Sequence, residues 1–282
     1  MIKNTACTFI LVLFFNLCQA QPGAIVNEGE IGISAGLAHY FGDINPNVGL
    51  QRPKGAFGVF FRKQFGDYVA LRLNGQYADV GYSDFRSKDR VQQERNLSFN
   101  SDLYSVSIRG DFNFFRYNPG SSYYRFTPFV SIGVGRMWFN SYTYLPFDQR
   151  RYYLWVYNTE NTNYSSLGTT IIPIGFGVKY NLNKNVNIGF EFTHNITGSD
   201  YIDDVSGVYK DPTEFIGSGG SDPKNNQFNR TRLALHDRSD PSKPYGQPGK
   251  MRGFGSELND TYVTAEITLS ISFSSYRCPK VY

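Results

Sequence analysis

His194-Asn195 has the side-chain types of a general base and the group that orients it, which together could serve a serine nucleophile on an adjacent strand. Consecutive strand residues point to opposite faces, however, so these two do not readily cooperate. His39 falls on the same outward phase as His194 but on a strand that is not its neighbour, and both read as interfacial residues. The third histidine, His236, sits in Leu235-His236-Asp237-Arg238-Ser239-Asp240, a polar loop where a His and a Ser meet by chance. Asp200, Asp203 and Asp204 have the composition of a calcium loop but lack the ordered ligand spacing of an EF-hand, and read as a solvated acidic loop. Gly133-Val134-Gly135 lies inside a strand pattern, where glycine admits bulky neighbours rather than cradling phosphate. No catalytic residue, cofactor site or metal site is assigned.

A second set of reactive types is more regular. Arg62, Arg72, Arg109, Asp111, Lys179, Glu191 and Glu266 each fall on the polar phase of an alternating segment. Eight such segments run over 30–41, 56–65, 68–79, 102–115, 124–139, 169–180, 186–196 and 261–273, each with apolar residues at every second position. The last is the clearest, with Val263, Ala265, Ile267, Leu269, Ile271 and Phe273 on one face and Tyr262, Thr264, Glu266, Thr268, Ser270 and Ser272 on the other. Such a strand faces either a soluble core or lipid.

Several features favour lipid. Residues 1–20 carry Lys3, an apolar run from Phe9 to Phe15 and Cys18-Gln19-Ala20 before a cleavage point, the pattern of a signal peptide. A lipoprotein reading at Cys18 is disfavoured by Leu17, where lipid attachment wants a small residue. Aromatic residues make up 17% of the chain, as interfacial girdles require, against 18% charged residues. The net charge of +4 is spread out, which excludes a nucleic-acid footprint. Short turns alternate with long connections at 42–55, 80–101, 140–168 and 197–260. The expected fold is therefore all-β, an eight-stranded antiparallel transmembrane barrel in the bacterial outer membrane, contacting its lipid, with short periplasmic turns, long extracellular loops and both termini periplasmic. Lys63 and Arg136 break the charge rule near strand ends, at headgroup depth. If Phe65 pairs with Val69, Arg62 lies opposite Arg72 with Asp111 at similar depth, and the interior charges, Glu191 and Glu266 included, form an ionic plug in a lumen just wide enough for side chains.

Three stretches resemble a known family. They are 29–46, G-E-I-G-I-S-A-G-L-A-H-Y-F-G-D-I-N-P; 94–114, E-R-N-L-S-F-N-S-D-L-Y-S-V-S-I-R-G-D-F-N-F; and 125–135, R-F-T-P-F-V-S-I-G-V-G. These resemble the PorG-type outer-membrane proteins of the type IX secretion system, and the ending Cys278-Pro279-Lys280 is also similar; loop 197–260 has little to match. The resemblance implies a non-enzymatic component of a protein-export machine, associated with a periplasmic ring built from a lipoprotein and a soluble partner. The alternative is a small outer-membrane barrel that modifies lipid or binds ligand at its outer rim. The mixed-charge loop of Arg86, Lys88, Asp89, Arg90, Glu94 and Arg95 reads as solvated surface, or else as a contact for lipopolysaccharide or a neighbouring component. Cys7 and Cys18 leave with the signal peptide, so Cys278, in a tail at 274–282, is either a free thiol or half of an intermolecular disulfide to a periplasmic partner.

Overall fold

A computed structural model describes residues 24–45, 50–119, 121, 123–146, 148–160, 167–215, 227–253 and 259–277, with backbone alone at 24–28 and 274–277. The signal peptide expected at 1–20 and the trio Cys278, Pro279 and Lys280 lie outside the described residues. The strands are β1 (Ala24–Phe41), β2 (Lys54–Phe65), β3 (Val69–Ser83), β4 (Ser98–Asn113), β5 (Phe126–Thr143), a two-residue β6 (Tyr152–Tyr153), β7 (Gly168–Asn181), β8 (Val186–Thr197) and β9 (Thr261–Arg277). Each long strand pairs antiparallel with its chain neighbours, and β1 pairs with β9, so eight strands close into a barrel while β6 hangs on β5. Closure leaves no row of unpaired backbone groups facing an apolar medium.

The outward face is apolar where lipid would lie. Val59, Phe61, Leu71, Leu73, Val106, Ile108, Ile132, Val134, Ile174 and Ile267 are all exposed. Above them the rings of Phe57, Tyr77, Tyr104 and Trp138 stand in one continuous cross-strand row. Below them come Phe65, Phe112, Phe114, Phe126, Tyr180 and Phe273. Two such rings at the polar boundaries are what an interface between hydrocarbon and water selects. Arg136 lies exposed on this face and donates to the Gly168 carbonyl at 3.0 Å. Among the described residues, no helix is long and apolar enough to cross a membrane.

Several strands run further than their alternation suggests. The sequence pattern stops the third at 79, starts the fourth at 102 and stops the fifth at 139, whereas pairing continues from Asp79↔Asp102 to Ser83↔Ser98 and from Leu103↔Phe139 to Asn100↔Tyr142. The reason is a reversal of amphipathicity above the upper ring row. There the inward residues become apolar (Ala38, Tyr40, Val80, Tyr82, Phe99, Leu103, Phe139) and form one buried cluster with Ile44, Leu97, Leu154, Ile202, Val205 and Leu235 from the loops. Outward positions turn polar at Asp79, Ser83, Asp102 and Ser98. The upper barrel is thus built like a soluble protein, and the long loops fold over it as a cap. That cap contains short helices α1 (Arg90–Arg95) and α2 (Leu154–Tyr157) and the longer α3 (Gln227–His236).

At the opposite end β1 and β9 outrun their neighbours. β2 has its last partner at Glu30↔Arg62 and β8 its last at Val186↔Ile271, yet β1 and β9 continue through a bulge between Asn27 and Gly29 to Ala24↔Arg277. Ser272 N–H still reaches the Asn185 carbonyl at 2.6 Å, and past it the paired strands make a two-stranded ribbon roughly 17 Å long at ~3.3 Å per residue.

A cation placed mid-band tests which medium the outer face meets. Ile132→Arg is expected to lower unfolding stability in lipid vesicles by about 2–4 kcal/mol, and Ser83→Arg, above the upper rings, by about 0–1 kcal/mol. Equal losses in a denaturant titration would show that the band does not face lipid.

Candidate functional site

The register lays three arginines side by side, because Arg62 pairs with Arg72 and Arg72 with Arg109, while Glu30 pairs with Arg62 from the other side. Phe65↔Val69 is the pair that ends β2–β3 and sets this row. Asp111, two residues beyond Arg109 on β4, lies 2.9 Å from Arg62 Nε and 3.1 Å from Arg72 Nη2, and accepts a hydrogen bond from Lys179 Nζ at 2.9 Å. Glu191 takes both terminal nitrogens of Arg72, with Nη2 at 2.7 Å, and accepts from Arg109 at 3.5 Å. None of these residues is more than 4% exposed.

Glu266 stands beside Glu191 in the register but is held differently. It accepts from Ser34 Oγ at 3.0 Å and Gln76 Nε2 at 2.7 Å, and among the described residues no ion pair reaches it. Arg109, the guanidinium on that level, is turned to Glu191, Ser107 and Thr193 instead. The expected plug is thus geometrically an ion-paired layer of Arg62, Arg72, Arg109, Asp111, Lys179 and Glu191 with Glu266 hydrogen-bonded next to it.

Three members of this layer escape a reading of charges on polar phases. Glu30 sits at the start of its segment and bonds Arg62 at 2.9 Å. The predicted set held four cations and three carboxylates, and that imbalance was the available signal for a missing acid. Phe60 and Phe129 point inward, against the lipid-facing habit of aromatics, with the Arg62 guanidinium 4.7 Å from the Phe60 centroid and Lys179 Nζ 4.0 Å above Phe129. Gly32 makes room for one of these rings, since a Cβ there would come within 2.3 Å of Phe60. Below the ions an amide layer continues, with Asn181 donating to Asn187 at 2.6 Å and Asn187 to Ser272 at 2.7 Å. Tyr117, from the β4–β5 turn, is fully buried beneath and donates to Asn187 Oδ1 at 3.1 Å.

The outer cap corrects several loop readings. Asp203 and Asp204 are buried rather than solvated. Arg95, read as surface, is buried and donates to both oxygens of Asp84 at 2.7 and 2.9 Å, because α1 turns it under the loop. His236, read as a chance polar-loop residue, ends α3 inside the cap, with Nδ1 2.6 Å from the Thr159 carbonyl and the rings of Tyr209 and Phe215 edge-on to it. Burial and the charge of Arg252 push its pKa down to about 4. His39 keeps its outward phase but is buried, with Asn45 Nδ2 3.3 Å from its Nε2. His194 is exposed on the outer face, as its phase requires. No group of three or more candidate metal ligands occurs among the described residues.

One cap contact carries a proton. Tyr40 Oη lies 2.6 Å from Asp203 Oδ2 and 2.5 Å from Asp260 Oδ1, but a phenol has one hydrogen to donate. The second contact therefore needs a protonated carboxyl. Burial, reinforced by neighbouring carboxylates, holds both Asp203 and Asp260 well above the usual carboxylate range, which supplies that proton. This trio ties the end of β1, the 198–205 loop and the start of β9 together.

Residues 4–240 match the family described as a domain of unknown function, DUF6089. The chain belongs to that family. Comparison with curated proteins gives no match. Among solved structures the chain is similar to Neisserial surface protein A, at 10% identity over 89% of this chain and 100% of that one, with a TM-score of 0.44. It is also similar to the attachment invasion locus protein Ail of Yersinia pestis, solved in complex with a heparin analogue, at 14% identity over 87% and 99% of the two chains, with a TM-score of 0.40. The N-terminal β-barrel domain of Pseudomonas aeruginosa OprF gives 13%, 88%, 99% and 0.36 for the same measures. The fold of this chain is a closed, eight-stranded antiparallel barrel.

Two outcomes follow from the interior and the cap. Asp111→Asn leaves Arg62, Arg72 and Lys179 short of a buried counter-charge and is expected to cost about 3–5 kcal/mol in denaturant unfolding, while the wild type passes no steady current in a planar bilayer. A wild-type pore with resolved conductance steps would contradict the packed interior. In the cap, Asp203 and Asp260 bind their proton more tightly folded than unfolded, so their contribution is complete below the ordinary Asp value of about 4 and is lost as pH rises. His236 acts in the other direction: its contribution is present above 6.5 and is lost as pH falls through about 4. Cap opening, taken from amide exchange after division by the intrinsic base-catalysed rate, should therefore become more frequent on the alkaline side, and Asp260→Asn should flatten that limb while leaving the acid limb in place. An unchanged alkaline limb in Asp260→Asn would remove the carboxyl pair as its cause.

Proposed function

We propose that this protein is a non-enzymatic outer-membrane component of a type IX protein secretion machine, which anchors or helps assemble a periplasmic ring at the membrane. The observation that carries this reading is the combination, on one axis, of a filled interior and a ribbon that outruns the barrel wall. Ions, amides and Tyr117 occupy the lumen from mid-height to the short-turn rim, which suits an anchor better than a conduit. The β1–β9 ribbon leaves from that same rim and runs to Arg277, immediately before Cys278-Pro279-Lys280. A two-stranded ribbon with edges beyond its neighbours is a template for strand addition by a partner. With the short turns in the periplasm, the ribbon and both termini face the ring's lipoprotein and its soluble partner, and Cys278 can close an intermolecular disulfide with one of them. The resemblance of segments 29–46, 94–114 and 125–135 to PorG-type proteins is what supports the choice of a type IX machine.

The rival, a rim-active lipid-modifying or ligand-binding barrel, would draw on the cap. There His236 is committed to the Thr159 carbonyl and packed between rings, and His194 lies alone on the outer wall.

The test is affinity purification of the intact complex from native membranes, run with and without reductant. The ring lipoprotein and its soluble partner should co-purify, a disulfide-linked band should vanish with reductant, and Cys278→Ser should abolish that band. Loss of a lipid modification in a deletion strain whose secretion is intact would instead support the rival. Monomer alone on the non-reducing gel would remove the disulfide while leaving the anchor reading to the pull-down.

A further inference from the structure

The short-turn rim is not uniform. β2–β3 and β7–β8 turn within a few residues, whereas β4 and β5 are joined by residues 114–125, and that connection builds an open cleft of about 480 Å³. Its walls are Tyr68, Phe114, Phe115, Arg116 and the run Tyr123 to Phe126. The connection is fixed to the barrel: Tyr117 N–H donates to the Asp67 carbonyl at 3.1 Å, and the Tyr117 ring is buried in the lumen mouth. With Tyr117 turned in, Phe115 and Arg116 are left on the outside.

Two guanidinium groups look into this cleft, and among the described residues their one ion pair is the long, exposed contact of Arg116 with Asp67. Arg116 donates from Nε to Tyr68 Oη at 3.4 Å, lies 5.9 Å from the Tyr124 ring centroid, and approaches Asp67 no closer than 4.0 Å. Arg125 donates one Nη2 bond to the Leu182 carbonyl at 3.4 Å, and its buried Nε has no hydrogen-bond partner among the described residues. Arginine forks of this kind suit a phosphate, which accepts from several N–H groups at once. The floor of the cleft decides what the phosphate is attached to. Phe114, Phe115 and Phe126 are exposed, with Phe115 and Phe126 rings 6.4 Å apart, and Phe114 stacks edge-on with Phe112 at 5.7 Å. These rings continue without a break into the apolar band of the barrel wall. An occupant must therefore carry an anionic head and hydrocarbon, one against the arginines and the other along the band.

We propose that this cleft is a binding site for one anionic phospholipid, its phosphate held by Arg116 and Arg125 and an acyl chain laid over Phe112, Phe114 and Phe126. The proposal rests on the barrel's membrane placement but not on the secretion role, since it is tested on the isolated protein.

The experiment is native mass spectrometry of the full exported chain released from detergent micelles containing equal phosphatidylglycerol and phosphatidylcholine. The wild type should retain one phosphatidylglycerol in preference to phosphatidylcholine. At roughly fivefold per interfacial arginine, the preference should fall about 25-fold in the Arg116→Gln, Arg125→Gln double variant. Heat-modified gel mobility shows whether that variant is folded, and Arg136→Gln, an outward arginine away from the cleft, should keep the wild-type preference. Equal retention of the two lipids by the wild type, or an unchanged preference in the folded double variant, overturns the site. Competition with inorganic phosphate separates the sources: failure of millimolar phosphate to displace the lipid supports a lipid site, and full displacement makes it a small-anion site instead.

Discussion

Pairing of the first strand with the last is the constraint on which everything else depends. In an apolar medium an unpaired strand edge strands a row of N–H and C=O groups, each costing several kcal/mol. β1 and β9 remove that edge over seventeen residue pairs' reach, from Phe41↔Thr261 to Ala24↔Arg277. Once the sheet is closed, its register is no longer free. Shifting any strand by one residue would send its polar side chains to lipid and its apolar ones into the lumen. The same register that closes the wall therefore also delivers Arg62, Arg72 and Arg109 to one level.

That delivery creates a second problem, solved locally. Four cations enclosed by eight strands would be untenable alone, since each buried ion loses several kcal/mol of solvation. Asp111 and Glu191 sit on different strands, yet each serves more than one cation, and Glu30 closes the row at Arg62. Phe60 and Phe129 add ring faces beside the Arg62 guanidinium and the Lys179 ammonium. Such a layer is expensive to break and contributes little over a well-packed apolar filling, so its value lies in fixing one arrangement of the wall.

How legible this was in the sequence differs by region. The mid-membrane wall is simple, because lipid outside and ions inside enforce alternation at every step, and the seven inward charges were readable from phase. Glu30 was missed because it opens its segment, and Phe60 because an aromatic on a polar phase breaks the rule that identifies the strand. The cap was largely illegible. Its buried groups, such as Arg95 on Asp84 and Tyr40 between Asp203 and Asp260, are brought together from segments far apart in the chain. No local spacing announces such contacts, and a stretch of charges looks the same whether it is solvated or folded under a loop. The strand ends failed for a different reason: the apolar phase changed sides at Tyr77, Tyr104 and Trp138, so alternation continued with its meaning reversed.

That reversal acts as a waterline. If the barrel sank by two residues, about 6–7 Å along a strand, Asp79 and Asp102 would enter hydrocarbon; if it rose by as much, the lower rings would pull away from their interface. The vertical position of the protein is thus written into its wall to within roughly one step of the pleat. Everything fixed to that wall inherits the same datum, so the height of the ribbon above or below the membrane surface is set by the lipid boundary.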